Sequence, residues 1–190
     1  MMERAAESSG RPRARATGAV YLLYFLTAIL GEFLISRKLV VYGDVVSLAG
    51  DACYITLTLL FYYMFEPVNK GLSLLAASFS LLGCGLTVLG LFHLAPSHVS
   101  PLLFFGPYCL LLGYLIFRST FLPRILGVLM MIAGLGWLIF LYESLGHSLS
   151  LYIEGLGILA EALLMLWLLV MGVNVPRWKE QGDAGKTADV

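Results

Sequence analysis

Apolar residues run almost unbroken through the middle of the chain, and polar residues interrupt them at a few short breaks. The six apolar stretches, 17–35, 45–65, 72–94, 101–117, 122–142 and 149–173, each approach the ~20 residues a helix needs to cross the hydrocarbon core of a bilayer. A soluble helix alternates an apolar stripe with a charged face. Residues 122–141, by contrast, contain one charge, Arg124, near the start. The pattern predicts an all-α polytopic membrane protein, a bundle of six transmembrane helices across 17–176 with no soluble domain.

The breaks at 36–44, 66–71, 95–100, 118–121 and 143–148 are short, which makes consecutive helices antiparallel neighbours. None can hold a folded domain, so function must be built from helix faces and membrane rims, which excludes a receptor with its own ectodomain. The basic leader 1–16 and the end of the tail, 179–190, are polar and lack apolar periodicity, which predicts disorder at both ends of the chain; 177–190 reads as a cytoplasmic tail. The first apolar run is too long for a secretory h-region, and no small-residue cleavage site follows before Arg37, so it reads as a retained helix.

Pro67, Pro96, Pro101, Pro123 and Pro176 fall at or beside the ends of the runs, where they can start or stop a helix. Pro107 falls inside the fourth run and predicts a kink, either for packing or as a gating hinge. In the third run Ser73, Ala77, Ser80, Cys84 and Thr87 recur at intervals of four and three, on one stripe of a helix. In lipid, small side chains let helices approach closely, so this stripe predicts a packing face, as do Gly127 and Gly134 in the fifth run.

Composition agrees with the pattern. The chain of 190 residues is 59% hydrophobic and only 13% charged, where soluble domains carry about a quarter charged residues. Its mean hydropathy is +0.88. The net charge of zero gives no bias toward nucleic acid. The positions of the charges are more informative. With six alternating spans, Arg4, Arg11, Arg13, Arg15, Lys70, Arg118, Arg124, Arg177, Lys179 and Lys186 lie on one side. Arg37 and Lys38 lie on the other. The positive-inside rule then puts both termini in the cytoplasm.

Charges inside hydrocarbon cost ~2.5 to 3.5 kcal/mol at a helix centre, so each invites an explanation. In this topology Glu32 is near the outer end of the first span, Asp51 about two turns into the second, Glu154 about one turn into the sixth and Glu161 near mid-membrane. Glu154 and Glu161 are seven apart and share a face with Gly157, as a proton or cation path would require. The alternative is structural: Glu161 bonded to a Tyr, Ser or Thr of a neighbouring helix, and Asp51 paired with Arg37.

His93, His98 and His147 all fall on the outer side, but no pair has helical ligand spacing, which makes them weak metal candidates. Cys53, Cys84 and Cys109 read as small packing residues. Tyr21, Tyr24, Tyr42, Tyr62, Tyr63, Trp137, Trp167 and Trp178 read mostly as headgroup anchors. The chain contains no G-x-S-x-G, H-E-x-x-H or Walker loop, and no cofactor is expected.

The string Gly113-Tyr114-Leu115-Ile116-Phe117-Arg118-Ser119-Thr120-Phe121-Leu122-Pro123-Arg124-Ile125-Leu126-Gly127 resembles the junction of the fourth and fifth spans in a bacterial membrane family known only as domain of unknown function 4386. Residues 133–136, the Gly43-Asp44 pair and the segment 167–174 are similar to it as well. The resemblance implies a six-span bacterial inner-membrane protein and supplies no activity. Physically the string is a tight turn, with Arg118 and Arg124 at headgroup level where they can anchor the topology or contact anionic lipid, and Ser119 and Thr120 available to cap the fifth span.

Three functions remain open. The default is a non-enzymatic accessory or scaffold protein whose partners are the bilayer and a second membrane protein or copy of itself. The alternatives are a proton- or cation-coupled transporter using Glu161, Glu154 and Asp51, and a lipid-modifying enzyme at the outer rim.

Overall fold

The structure is a computed structural model that describes residues 2–96 and 99–188. These residues form helices and turns without a strand: α1 (Met2–Ser36), α2 (Val40–Phe65), α3 (Lys70–Leu91), α4 (Leu102–Arg118), α5 (Arg124–Ile139), α6 (Glu143–Val170) and α7 (Val175–Ala188). Four are long and apolar enough to cross a membrane: α1 over Arg13–Ser36, α2, α3, and α6 over Ser148–Val170. The apolar helices α4 and α5 are shorter, at 17 and 16 residues. They are about 25 Å long at the usual helical rise. The helical bundle is therefore as the sequence predicts, and four of the six expected spans reach spanning length as single helices.

Each of α1 to α6 packs on the next, and α6 returns to pack on α1, which closes a ring. Side chains fill its centre: Tyr21, Leu57, Tyr108, Leu112, Met130 and Leu164 are all at most 2% exposed. The outward faces are apolar too, with Leu26, Ile29, Leu74, Leu82, Ile125 and Leu135 each more than half exposed. So much outward apolar surface fits a hydrocarbon surround.

The seams explain why the helices sit so close. Along α4 and α5, Gly106 and Gly113 face Gly134 and Gly127, and a methyl group added at Gly127 would sit 2.5 Å from the Gly113 carbonyl oxygen. A methyl at Gly18 of α1 would sit 2.5 Å from the Leu169 backbone nitrogen of α6. The small-residue stripe of α3 packs on α2. Ser73 Oγ donates to the Tyr62 carbonyl at 3.0 Å, and Ser80 Oγ and Thr58 Oγ1 lie 2.6 Å apart, both buried. Both packing faces expected from the spacing of small residues are present.

Helices α1 and α3 end in the same motif. Leu39 N–H bonds the Leu34 carbonyl and Leu94 N–H bonds the Leu89 carbonyl, with Lys38 and His93 in the left-handed region at φ 63° and 56°. Gly172, at φ 70°, lets the chain turn out of α6 toward α7.

Three expectations need correction. The leader expected to be disordered is part of α1, which begins at Met2, and Ala14 and Thr17 are buried at 1%. The segment from Lys179 on, expected to be disordered, is part of α7. Trp178 Nε1 of the same helix donates to the Met64 carbonyl at 2.9 Å, while Gln181 accepts from Thr120 N–H and donates to the Arg118 carbonyl. These bonds satisfy polar backbone groups at the ends of α2 and α4, which gives a polar segment reason to dock. Ser119 and Thr120 do not cap α5, which starts at Arg124 with Pro123 as its cap. Ser119 Oγ turns back to the Ile116 carbonyl instead.

Candidate functional site

Glu161 lies on α6 beside the face formed by Ala160, Leu164 and Leu168, each fully buried. The α1–α6 seam, closed up by Gly18, brings Tyr21 opposite it, and the Tyr21 hydroxyl donates to Glu161 Oε2 at 3.1 Å. Tyr21 is itself 1% exposed and packs edge-on against Phe61 of α2, with ring centroids 5.9 Å apart. The carboxyl therefore sits at the margin of the core and holds a partner from another helix.

Further polar rings lie around this pair. Tyr24 packs on Tyr54 at 4.7 Å between centroids, and Tyr54 packs on Tyr108 of α4 at 6.1 Å. Tyr21, Tyr24, Tyr54, Tyr108 and Cys109 are all close enough to Glu161 to interact with it electrostatically. Tyr24 also lies within reach of Asp51. Four helices thus contribute to one aromatic and polar centre around Glu161, with Asp51 at its edge beside Tyr24.

Asp51 of α2, half-buried, accepts from Thr87 Oγ1 of α3 at 3.1 Å. The pairing of Asp51 with Arg37 does not form. The Arg37 guanidinium lies over the Phe33 ring at 5.2 Å, and Thr87, the last member of the α3 stripe, is the nearer polar partner. Glu32 and Glu154 are exposed, so the four candidate acids divide into two that bridge helices and two on the outside. No buried side-chain nitrogen or oxygen among the described residues lacks a hydrogen-bond partner.

Arg118 and Arg124 are both exposed at the α4–α5 turn, with the Arg124 guanidinium 5.8 Å from the Phe117 ring centre. Arg15, at the same end of the bundle, donates to the Val170 carbonyl at 3.3 Å, where a cation complements the C-terminal end of α6. His93 is exposed in the turn after α3. His98 and the side chain of His147 lie outside the described residues. Cys84 and Cys109 are buried, Cys53 is partly so, and all three are free thiols.

The sequence reading missed Tyr54 and Tyr108 and assigned Tyr21 to the headgroups, whereas Tyr21 is the partner of Glu161. A signal was available: these tyrosines fall within apolar runs rather than at their ends, and a phenol in hydrocarbon needs a polar partner. Chemically, the arrangement holds a carboxyl and a hydroxyl donor in register across a helix seam.

An uncharacterized protein of Archaeoglobus fulgidus is 27% identical over 147 residues, covering 74% of this chain and 90% of that protein. No solved structure matches the chain. The profile of the family described as "Domain of unknown function (DUF4386)" matches residues 97–172, which run from just before α4 through α6 and include the junction string. The match agrees with the family resemblance of the sequence, and the matched stretch contains Glu161.

Proposed function

We propose that the protein is a six-span integral membrane scaffold, with both termini on the cytoplasmic side of the plasma membrane. Two of its membrane-embedded acids, Asp51 and Glu161, join helices and do not carry ions. The observation that carries this reading is the Tyr21–Glu161 bond across the α1–α6 seam, where the ring closes. Asp51 has the same relation to Thr87 across the α2–α3 seam. A transport path needs acids that reach water from both sides. Here the ring centre is packed with Tyr21, Tyr54 and Tyr108, each at most 6% exposed. Bundles use such polar pairs as glue between helices.

Two features support six crossings. The short helix α5 is flanked by apolar neighbours, Phe121 and Leu122 before it and Phe140 to Tyr142 after it, which bring that run toward spanning length. The contacts of Arg15 with Val170, Trp178 with Met64 and Gln181 with Thr120 bring the basic segments to one end of the bundle, as the positive-inside rule requires.

The test uses purified wild-type protein in proteoliposomes under proton, sodium and potassium gradients, with reporter fusions in cells alongside. The scaffold reading predicts no protein-dependent flux, and reporters that read cytoplasmic after Lys70 and Thr120 but external after Ala95 and Tyr142. Flux abolished by Glu161→Gln would replace it with the transporter reading.

A further inference from the structure

At the end of the bundle that carries α7, faces of α1, α2 and α7 border an open-sided cavity of about 480 Å³. Sites for small molecules measure ~300 to 1,000 Å³, so this one can hold an acyl chain. The α2 wall is a stripe at helical spacing, Leu60, Tyr63 and Met64, continued by Pro67 in the turn after the helix. Trp178 of α7 forms the opposite side, held there by its bond to the Met64 carbonyl. On α1 the space exists because Ala16 and Thr17 present small side chains to it.

The mouth carries charge. Arg13 and Lys179 border it, one from each flanking helix. The acid that borders it, Glu66, is paired with Lys70 at 3.3 Å, which offsets its charge and leaves the two cations to set the sign. Apolar walls below a basic mouth match an amphiphile with an anionic head.

We propose that this cavity binds an anionic phospholipid, with one acyl chain between the α2 stripe and Trp178 and the phosphate at Arg13 and Lys179. The site is separate from Arg118 and Arg124 at the α4–α5 turn and from the Tyr21–Glu161 pair. It shares with the proposed function only the placement of this rim at headgroup depth.

Trp178 makes the site readable, because Trp137→Phe and Trp167→Phe leave it as the chain's one tryptophan. The full chain with these two changes goes into phosphatidylcholine nanodiscs doped with phosphatidylglycerol brominated on its acyl chains, or with phosphatidylcholine brominated in the same way. Trp178 emission should be quenched at about a thirtyfold lower mole fraction of the brominated phosphatidylglycerol, the ratio expected from two basic groups at ~1 kcal/mol each at a membrane surface. Arg13→Gln with Lys179→Gln should abolish that preference. Ala16→Phe, which fills the cavity from an exposed position, should remove the quenching by both lipids. Arg118→Gln with Arg124→Gln should leave the preference unchanged.

Equal quenching by the two lipids in the parent would overturn the proposal. So would a preference that survives loss of Arg13 and Lys179, or one lost with Arg118 and Arg124. Should Ala16→Phe fail to fold, the charge variants decide alone, since both side chains lie at the mouth and outside the packed core. A dimer in which Trp178 escapes both quenchers would assign the cavity to a second copy and also overturn the proposal.

Discussion

Gly127→Ala should be among the most damaging single-methyl changes in the protein. The added carbon would lie 2.5 Å from the Gly113 oxygen and 2.6 Å from the Phe117 nitrogen, both backbone atoms of α4. That is roughly 1 Å short of ordinary van der Waals contact, and no rotamer can relieve it. The helices must separate, and the seam includes the similar approach of Gly134 to Gly106, where a methyl would sit 2.9 Å from the carbonyl oxygen. A gap of 0.5 to 1 Å forfeits ~25 to 50% of the dispersion well of every contact across it. Overpacking of this kind costs ~3 kcal/mol, or on the order of 10 °C in melting temperature for a chain of this size. Gly85→Ala is the matched control. It changes the same atom in α3 where nothing lies within 4 Å, and helix propensity alone leaves it unchanged or slightly stabilising. Thermal melts followed by circular dichroism in one detergent compare the two. Equal melting temperatures would refute backbone contact between α4 and α5.

Ser80→Leu should lower stability by ~1 to 3 kcal/mol in the same assay, because Ser80 is fully buried against Thr58, while Leu81→Phe on the exposed face should shift the melt little. His93→Gly should raise stability by ~0.5 to 1 kcal/mol, since His93 occupies a left-handed position that glycine adopts without strain. A decrease in the melting temperature of His93→Gly would mean that the turn after α3 does not have this geometry.

The bundle was legible because lipid solvates helices from outside, so apolar length by itself marks the elements. The packing faces were legible for a related reason: without a hydrophobic drive between helices, small residues such as Ser80 and Gly127 must mark the seams. The ends were less so. Composition gives the polar tail no reason to fold, and α7 forms because Trp178 and Gln181 meet backbone groups of α2 and the α4–α5 turn more than fifty residues away in sequence. At the site, helical periodicity put Glu161 on one face with Glu154 but could not say which way that face points or which helix would meet it. Tyr21 is 140 residues away, and its meeting with Glu161 depends on α6 closing the ring against α1. The Asp51 partner was misjudged for the same reason, since Thr87 is adjacent only once α3 has packed on α2.

A double-mutant cycle of Tyr21→Phe and Glu161→Leu, measured by reversible unfolding in mixed micelles, tests most directly whether an embedded carboxyl joins α1 to α6. Polar pairs between membrane helices average ~0.6 kcal/mol and reach ~1.7, so a favourable coupling energy in that range is expected. Strictly additive losses from the two substitutions would contradict the account, because two groups bonded across the seam at 3.1 Å cannot be energetically independent.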